Sequence, residues 1–252
     1  NAYESIKIKD NLIITGIQAV CPEFDISKIK ILSENEIPFS NGLGSSAAAL
    51  CTGLLIGNYL IGNKFSLEDL NEKAIKIEGH PDNVTPCLFG GLTISVFNDK
   101  KDKWIIRKID VSSELNIMVF TPNFISNTNN SRKKLSKSVT RSAAVYNISR
   151  VALLIDSLNK KDFTFLNEAT KDSLHQDTRL EGFPEMRSIM NAAIDGGALG
   201  AIVSGSGPSV MIFTKGNEFT IDYEIKEVAR KHNLDGSIIL TKPSNQGIIL
   251  SK

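Results

Sequence analysis

The segment Pro38-Phe39-Ser40-Asn41-Gly42-Leu43-Gly44-Ser45-Ser46-Ala47-Ala48 constrains this chain more than any other stretch. A proline and two glycines punctuate a turn, two serines supply short hydroxyls, and an alanine-rich apolar run follows. Glycine lets the backbone come close to an anion and reach positive φ, because no Cβ intervenes. A helix that starts at the serines then aims its free N–H groups and the positive end of its dipole at the same anion. The pattern predicts a seat for a phosphate tail that runs directly into a buried helix. It is not the GxxxxGK(S/T) loop, since no lysine follows Gly44, nor the GxGxxG fingerprint, since Ala47 stands at the third glycine position. The plainer reading of the same residues is a tight connection with a serine N-cap.

Two later segments weigh against the plainer reading. Glu78-Gly79-His80-Pro81-Asp82-Asn83-Val84 packs two carboxylates, an imidazole and an amide around the helix breakers Gly79 and Pro81. Further on, the apolar stretch Ala198–Val203 ends in Ser204-Gly205-Ser206-Gly207-Pro208-Ser209, and a second apolar run, Val210–Phe213, follows. A glycine-rich turn between two strands presents backbone N–H groups to a ligand's edge.

Composition narrows the class. With 252 residues the chain can bury a large core, as one two-lobed unit or as two small domains. Its 41% hydrophobic and 23% charged residues are ordinary for a globular protein. A net charge of +1 gives no reason to expect nucleic acid or a membrane surface as partner. No apolar run approaches the length of a membrane span and no signal peptide is in view. Cys21, Cys51 and Cys87, odd in number and without CxxC spacing, fit free thiols in a reducing cytoplasm. Cys51, among Leu50, Leu54 and Leu55, reads as core, and no His/Cys cluster has zinc spacing.

Along the chain, Lys28–Ser33 alternates and predicts a strand entering the glycine loop, and Ser45–Ile61 predicts a buried helix. Ser66 to Asp69 reads as a capping box opening a helix that runs to about Ile77 and delivers Glu78. Gly91–Phe97 and Trp104–Ile109 read as paired strands across the charged turn Asn98–Asp102, and Leu115–Phe120 as another strand. Ser138–Leu158 has helical periodicity in Ala144, Val145, Ile148, Val151, Ala152 and Ile155. Helices near 162–170, 185–195 and 221–232 follow, with strands at 198–204, 210–213, 236–240 and 247–250. This order predicts an α+β sandwich rather than a doubly wound parallel sheet.

The three motifs in this order resemble the GHMP kinase superfamily and, within it, its homoserine kinases. GLGSSAAA is similar to the nucleotide motif, SGSGPSV to the C-terminal glycine motif, and EGHPDNVTPCLFGGLTIS to a stretch typical of homoserine kinases. The resemblance implies an α+β, two-lobed architecture with mixed or antiparallel sheets packed against helices. It implies an ATP-binding lobe over residues 1–120 and a C-terminal lobe over residues 121–252. The superfamily's amino-terminal PASxANLGPGFD loop has no counterpart here, so a portion carrying its substrate-binding aspartate is expected outside this chain.

The same resemblance assigns roles. Residues Pro38 to Ala48 would hold the phosphates of ATP, and Ser46 with Glu78 would hold Mg2+, which favours one or two protein oxygens alongside phosphate and water. His80, Asp82, Asn83 and Gly205 would line the pocket for L-homoserine. Arg132 and Arg179 would grip its carboxylate, a task suited to the guanidinium fork. Thr128 would hydrogen-bond the substrate hydroxyl or the transferred group. Ser131 and Ser136 stand where the family usually carries alanine and proline around Arg132. Lys133, Lys134, Lys137, Arg141 and Arg150 read as a solvated basic face or a weak phosphate-attracting field. No Asp–Lys base pair suggests itself, so catalysis by alignment and electrostatics is expected, in a homodimeric cytoplasmic enzyme. The alternatives are a related kinase for mevalonate or a sugar, or a non-catalytic nucleotide or metabolite sensor on the same scaffold.

Overall fold

The computed structural model describes residues 11–124 and 135–251, so the expectations for Thr128 and Arg132, and for Lys133 and Lys134, lie outside the described residues. The chain divides into two compact units. The first takes in residues up to Ile37, Gly44–Asp110 and the tail from Ser244, and the second comprises Pro38–Leu43 and Val111–Pro243.

In the first unit, α1 (Leu12–Val20) and α2 (Ser45–Leu60) pack closely. The approach depends on glycine: a Cβ on Gly53 would lie 2.0 Å from the Ile13 carbonyl oxygen, and one on Gly16 2.5 Å from that of Leu50. Asn11 caps α1 by accepting from the Ile13 N–H at 3.0 Å. The core includes Leu50, Cys51, Leu54, Leu70, Ala74, Val84 and Leu88. α3 (Leu67–Glu78) opens with the expected capping box between Ser66 and Asp69. It is tied to α4 (Val84–Phe89) by the buried bond from Thr85 Oγ1 to Asn71 Oδ1, 2.9 Å. β1 (Leu92–Asn98) and β2 (Lys103–Ile109) form the predicted antiparallel pair, from Leu92 opposite Ile109 to Asn98 opposite Lys103. The Glu72 carboxylate accepts from the Trp104 N–H at 2.8 Å and fixes the hairpin to α3.

Two expected strands are absent here. Lys28–Ser33 gives way to a 3₁₀ turn, Ile26–Lys28, because Asp25 accepts from the Ser27 N–H and closes the chain locally. The residues that follow find no partner strand among the described residues, and Leu32 is exposed. Gly247–Leu250 is not a strand either: Ile248 donates its N–H to the Cys87 carbonyl at the end of α4, and Ile249 and Leu250 face outward.

The second unit is built on β3 (Asn116–Pro122), β4 (Gly200–Val203), β5 (Val210–Thr214) and β6 (Gly236–Thr241), ordered β4-β5-β3-β6 with every pair antiparallel. Its core gathers Met118, Phe120, Val210 and Ile212 from the sheet. Met186 and Ile189 come from α8 (Glu185–Asp195), and Ile221 and Ile225 from α9 (Glu218–Lys231). α5 (Arg141–Lys160), α6 (Leu166–Ala169) and α7 (Gln176–Leu180) precede α8. Where the sequence reading divides the chain after residue 120, the compact units divide it after Asp110. A cut at 120 would run through β3, which pairs with β5 on one edge and β6 on the other. The helix expected over 138–158 is present as α5, but Val145, Ile148 and Val151 on it are exposed, so that part of its apolar periodicity does not mark a buried face. Arg150 is not part of a solvated basic face: it lies over the Tyr146 ring at 3.2 Å and pairs with Glu168 at 2.5 Å.

Candidate active site

In the first unit, α2 begins at Ser45 with Gly44 as its cap residue, held in the left-handed region at φ 76°. No side chain caps this start, so Ser46 is not the N-cap that the plainer reading supposed. Its hydroxyl instead donates to Glu78 Oε1 at 3.2 Å, across 32 residues of sequence. Glu78 arrives there because α3 stops at it: Gly79 turns left-handed and donates its N–H to the Ile75 carbonyl at 2.7 Å. The chain then passes through His80 to Asn83 and re-enters helix at Val84. His80 Nδ1 and Asp82 Oδ1 are hydrogen-bonded, and Asp82 is the exposed member. Asn83 stands beside Gly44: a Cβ built there would meet Asn83 Oδ1 at 3.6 Å. One short region therefore brings together the start of a 16-residue helix, a hydroxyl, a carboxylate, an imidazole and an amide.

Behind it, Cys51 and Cys87 are free thiols. Cys51 Sγ donates to the Val84 carbonyl at 3.7 Å; the neighbouring Cys87 thiol, with burial, pushes the Cys51 thiol up, while Cys51 in turn moves Cys87 down.

In the second unit, Pro38–Leu43 and the turn after β4 interlock. Ser204 Oγ donates to the Gly42 carbonyl at 2.9 Å. A Cβ on Gly42 would lie 2.2 Å from the Ser204 carbonyl oxygen, and Gly42 itself has φ +77°, so two independent constraints require glycine there. Gly205 is also crowded, since a Cβ on it would sit 2.8 Å from the Gly42 oxygen. Asn41 is buried and donates Nδ2 to the Phe39 carbonyl at 3.0 Å; its Oδ1 has no hydrogen-bond partner among the described residues. Arg179 is carried by α7.

Sequence reasoning reached these residues but missed those that hold them: Asn71 and Thr85 behind His80–Asn83, and Asp172 and Gln176 ahead of Arg179. Thr85 lies inside the EGHPDNVTPCLFGGLTIS stretch and Gln176 just ahead of Arg179, but no pattern gave any of the four a role. Their signal is a polar side chain buried within a helical or turn segment, which only packing reveals.

As a magnesium site, Ser46 and Glu78 fit. No cluster of three or more His, Cys, Asp or Glu suited to a metal exists among the described residues. A hydroxyl and one carboxylate converging at a helix start match an ion that keeps phosphate oxygens and water as its other ligands.

Comparison with known proteins places the chain in a class. Residues 11–91 match the model of the GHMP kinases N terminal domain, and residues 154–231 match that of the GHMP kinases C terminal. A homoserine kinase of Clostridium botulinum (strain Alaska E43) is 32% identical over 248 residues, 97% of this chain and 82% of that protein. One from Halothermothrix orenii is 34% identical over 247 residues, covering 97% of this chain and 79% of that protein. The crystal structure of homoserine kinase from Cytophaga hutchinsonii superimposes with a TM-score of 0.81 at 26% identity, over 96% of this chain and 78% of that one. L. major mevalonate kinase, at 18% identity and a TM-score of 0.63 over 93% of this chain and 78% of that one, shares the fold. The chain belongs to the homoserine kinase family of GHMP kinases.

Proposed function

We propose that this chain transfers the γ-phosphoryl group of ATP to the side-chain hydroxyl of L-homoserine, giving O-phospho-L-homoserine. The observation that carries the reading is the Ser46–Glu78 pair at the uncapped start of α2, in a chain more than 30% identical to homoserine kinases over almost its whole length. Phosphoryl transfer asks a protein for positioning and charge stabilisation rather than covalent chemistry. The N–H groups at Ser45 and Ser46 and the helix dipole favour the phosphate charge. Ser46 and Glu78 supply oxygens for Mg2+, which when bound screens the phosphates and draws charge from the transferring group.

Asp82 and Asn83 offer, respectively, an acceptor for an ammonium and a two-way hydrogen-bonding amide for the amino acid's polar end. Arg179 offers a bidentate fork for its carboxylate. Thr128 and Arg132 complete the reading as ligands of the hydroxyl and the carboxylate. No general base is assigned, and the hydroxyl proton passes to phosphate or water as the bond forms.

The test is ADP release by the purified chain with Mg-ATP and L-homoserine, and detection of the phosphate ester by ³¹P NMR. Turnover that vanishes on chelation and is absent with mevalonate or galactose is expected. Turnover of mevalonate without homoserine would refute the substrate, and nucleotide binding without any acceptor would favour the sensor.

A further inference from the structure

The turn ahead of Arg179 is organised by the carboxylate of Asp172. Asp172 has a side chain only 7% exposed. Its Oδ2 accepts from the main-chain N–H groups of Leu174, His175 and Gln176 at 3.0, 2.7 and 2.8 Å. Its Oδ1 accepts from Asn147 Nδ2 of α5 at 2.6 Å and lies 3.4 Å from His175 Nε2. Asn147 also accepts, through Oδ1, from the Ser173 N–H at 2.9 Å, so α5 grips the turn at two successive residues.

What this turn fixes is α7. The N-cap residue of α7, His175, makes no side-chain capping bond, and Asp172 takes over that work from three residues upstream. Gln176, the first residue of α7, is buried. Its Oε1 accepts from the Val203 N–H at 2.7 Å, and its Nε2 donates to the Thr170 carbonyl at 3.4 Å. Val203 ends β4, and the next residue, Ser204, donates to Gly42. One continuous chain of hydrogen bonds therefore runs from α5 through Asp172 and α7 to the glycine turn at Gly205 and the loop at Gly42. A one-turn helix has too few internal bonds to hold its own orientation, so the setting of Arg179 is inherited from this network.

We propose that Asp172 is a positioning residue for the amino-acid substrate: its carboxylate sets α7 so that Arg179 and the Gly205 turn are held in fixed relation. The inference rests on the reading of Arg179 as a ligand of the substrate carboxylate. A charged acceptor serving three N–H groups makes stronger bonds than an amide, and Asp172→Asn also turns one acceptor oxygen into a donor that faces donors. The change loosens α7 without removing any group assigned to the substrate.

The experiment measures KM for L-homoserine, KM for ATP, kcat and thermal midpoint for the full chain and for D172N, N147A and R179K. D172N is expected to raise the homoserine KM by about tenfold, with N147A following in the same direction by about threefold. The ATP KM should stay within about twofold and the D172N protein should remain folded. Equal changes in both KM values, or a thermal loss with unchanged kinetics, would reduce Asp172 to a structural residue and overturn the proposal. R179K serves to separate the two readings. If R179K raises the homoserine KM while D172N and N147A do not, this inference alone fails. If R179K leaves that KM unaltered, the substrate reading of Arg179 fails, and this inference with it.

Discussion

Two carboxylates, Glu78 at the end of α3 and Asp172 ahead of α7, occupy opposite kinds of environment. Glu78 is half-buried, and the described residues offer it one hydrogen bond, from the exposed hydroxyl of Ser46. Asp172 is almost fully buried as a side chain and saturated by main-chain and side-chain donors. Burial alone would push the Asp172 carboxyl up, but donations from Gln176, His175 and Asn147 outweigh it and hold the group below the ordinary carboxylate range. Lone pairs already spoken for have no capacity for a ligand, whereas a carboxylate that shares one weak bond with a hydroxyl has capacity to spare. The contrast separates a residue that acts on bound groups from one that holds the protein in place, although both are acidic and neither is distinctive in composition.

The largest expected effect tests the first half of that contrast. Glu78→Gln keeps the shape and the acceptor for Ser46 but removes the charge, and kcat should fall on the order of 10²-fold with the thermal midpoint unchanged. Raised magnesium should recover part of the loss. Activity near that of the parent would break the comparison at its functional end, since Glu78 would then be a surface carboxylate. Next comes Asp172→Ala, which strands three partly buried N–H groups and the Asn147 amide; a loss of about 3 kcal/mol is expected. For a chain of this size that is a drop of roughly 6–12 °C in thermal midpoint, read by calorimetry. A midpoint within a degree of the parent would mean that water replaces the carboxylate without cost.

How much of this was legible beforehand follows from the physics of each signal. The glycine loop, the capping box at Ser66 and the hairpin of β1 and β2 are encoded locally, in residues a few positions apart, and each appears where expected. The pair of Ser46 and Glu78 was reached only through family resemblance, because the two stand 32 residues apart and no local rule links them. α1 was not expected, although Ile13, Ile14, Ile17 and Val20 stand at helical spacing and are buried, because nine residues carry little of that signal and its glycine contacts with α2 leave none. The alternation at Lys28–Ser33 misled for the opposite reason: period two is necessary for a strand but does not provide a neighbour to pair with. Asp172 was invisible because its meaning depends on burial, and an Asp before a short polar turn is ordinary in any loop.

A pH titration sharpens the comparison on the side of the turn. Burial lowers the affinity of His175 for its proton, and the nearby Arg179 charge adds to this against the pull of Asp172, so it sits below its ordinary value of 6.5. A base whose folded affinity is reduced binds more protons unfolded. Its contribution to stability is therefore present above about pH 6.5 and is lost as the pH falls toward the folded value. Asp172, with a depressed folded value, adds a second loss in the same direction at more acidic pH, below the ordinary 3.8. Denaturant midpoints measured from pH 7.5 to 5 should decline, and His175→Gln should flatten the decline. An unchanged slope in that variant would remove His175 from the account.

The smallest effect bears on how local the Glu78 region is. α3 is fixed at both ends by different chemistry: the reciprocal Ser66 and Asp69 bonds at its start, and the left-handed Gly79 at its finish, where Glu78 is delivered. Ser66→Ala removes one half of the capping box and should cost about 1 kcal/mol, visible as a shift of a few degrees in thermal midpoint. It should leave kcat and both KM values unaltered, because the Thr85–Asn71 bond ties the helix to α4 past its first turn and the Gly79 turn fixes its far end. A fall in kcat for this variant would show that Glu78 depends on the register of the whole helix. The functional carboxylate would then be as network-bound as Asp172, and the distinction between the two would no longer hold.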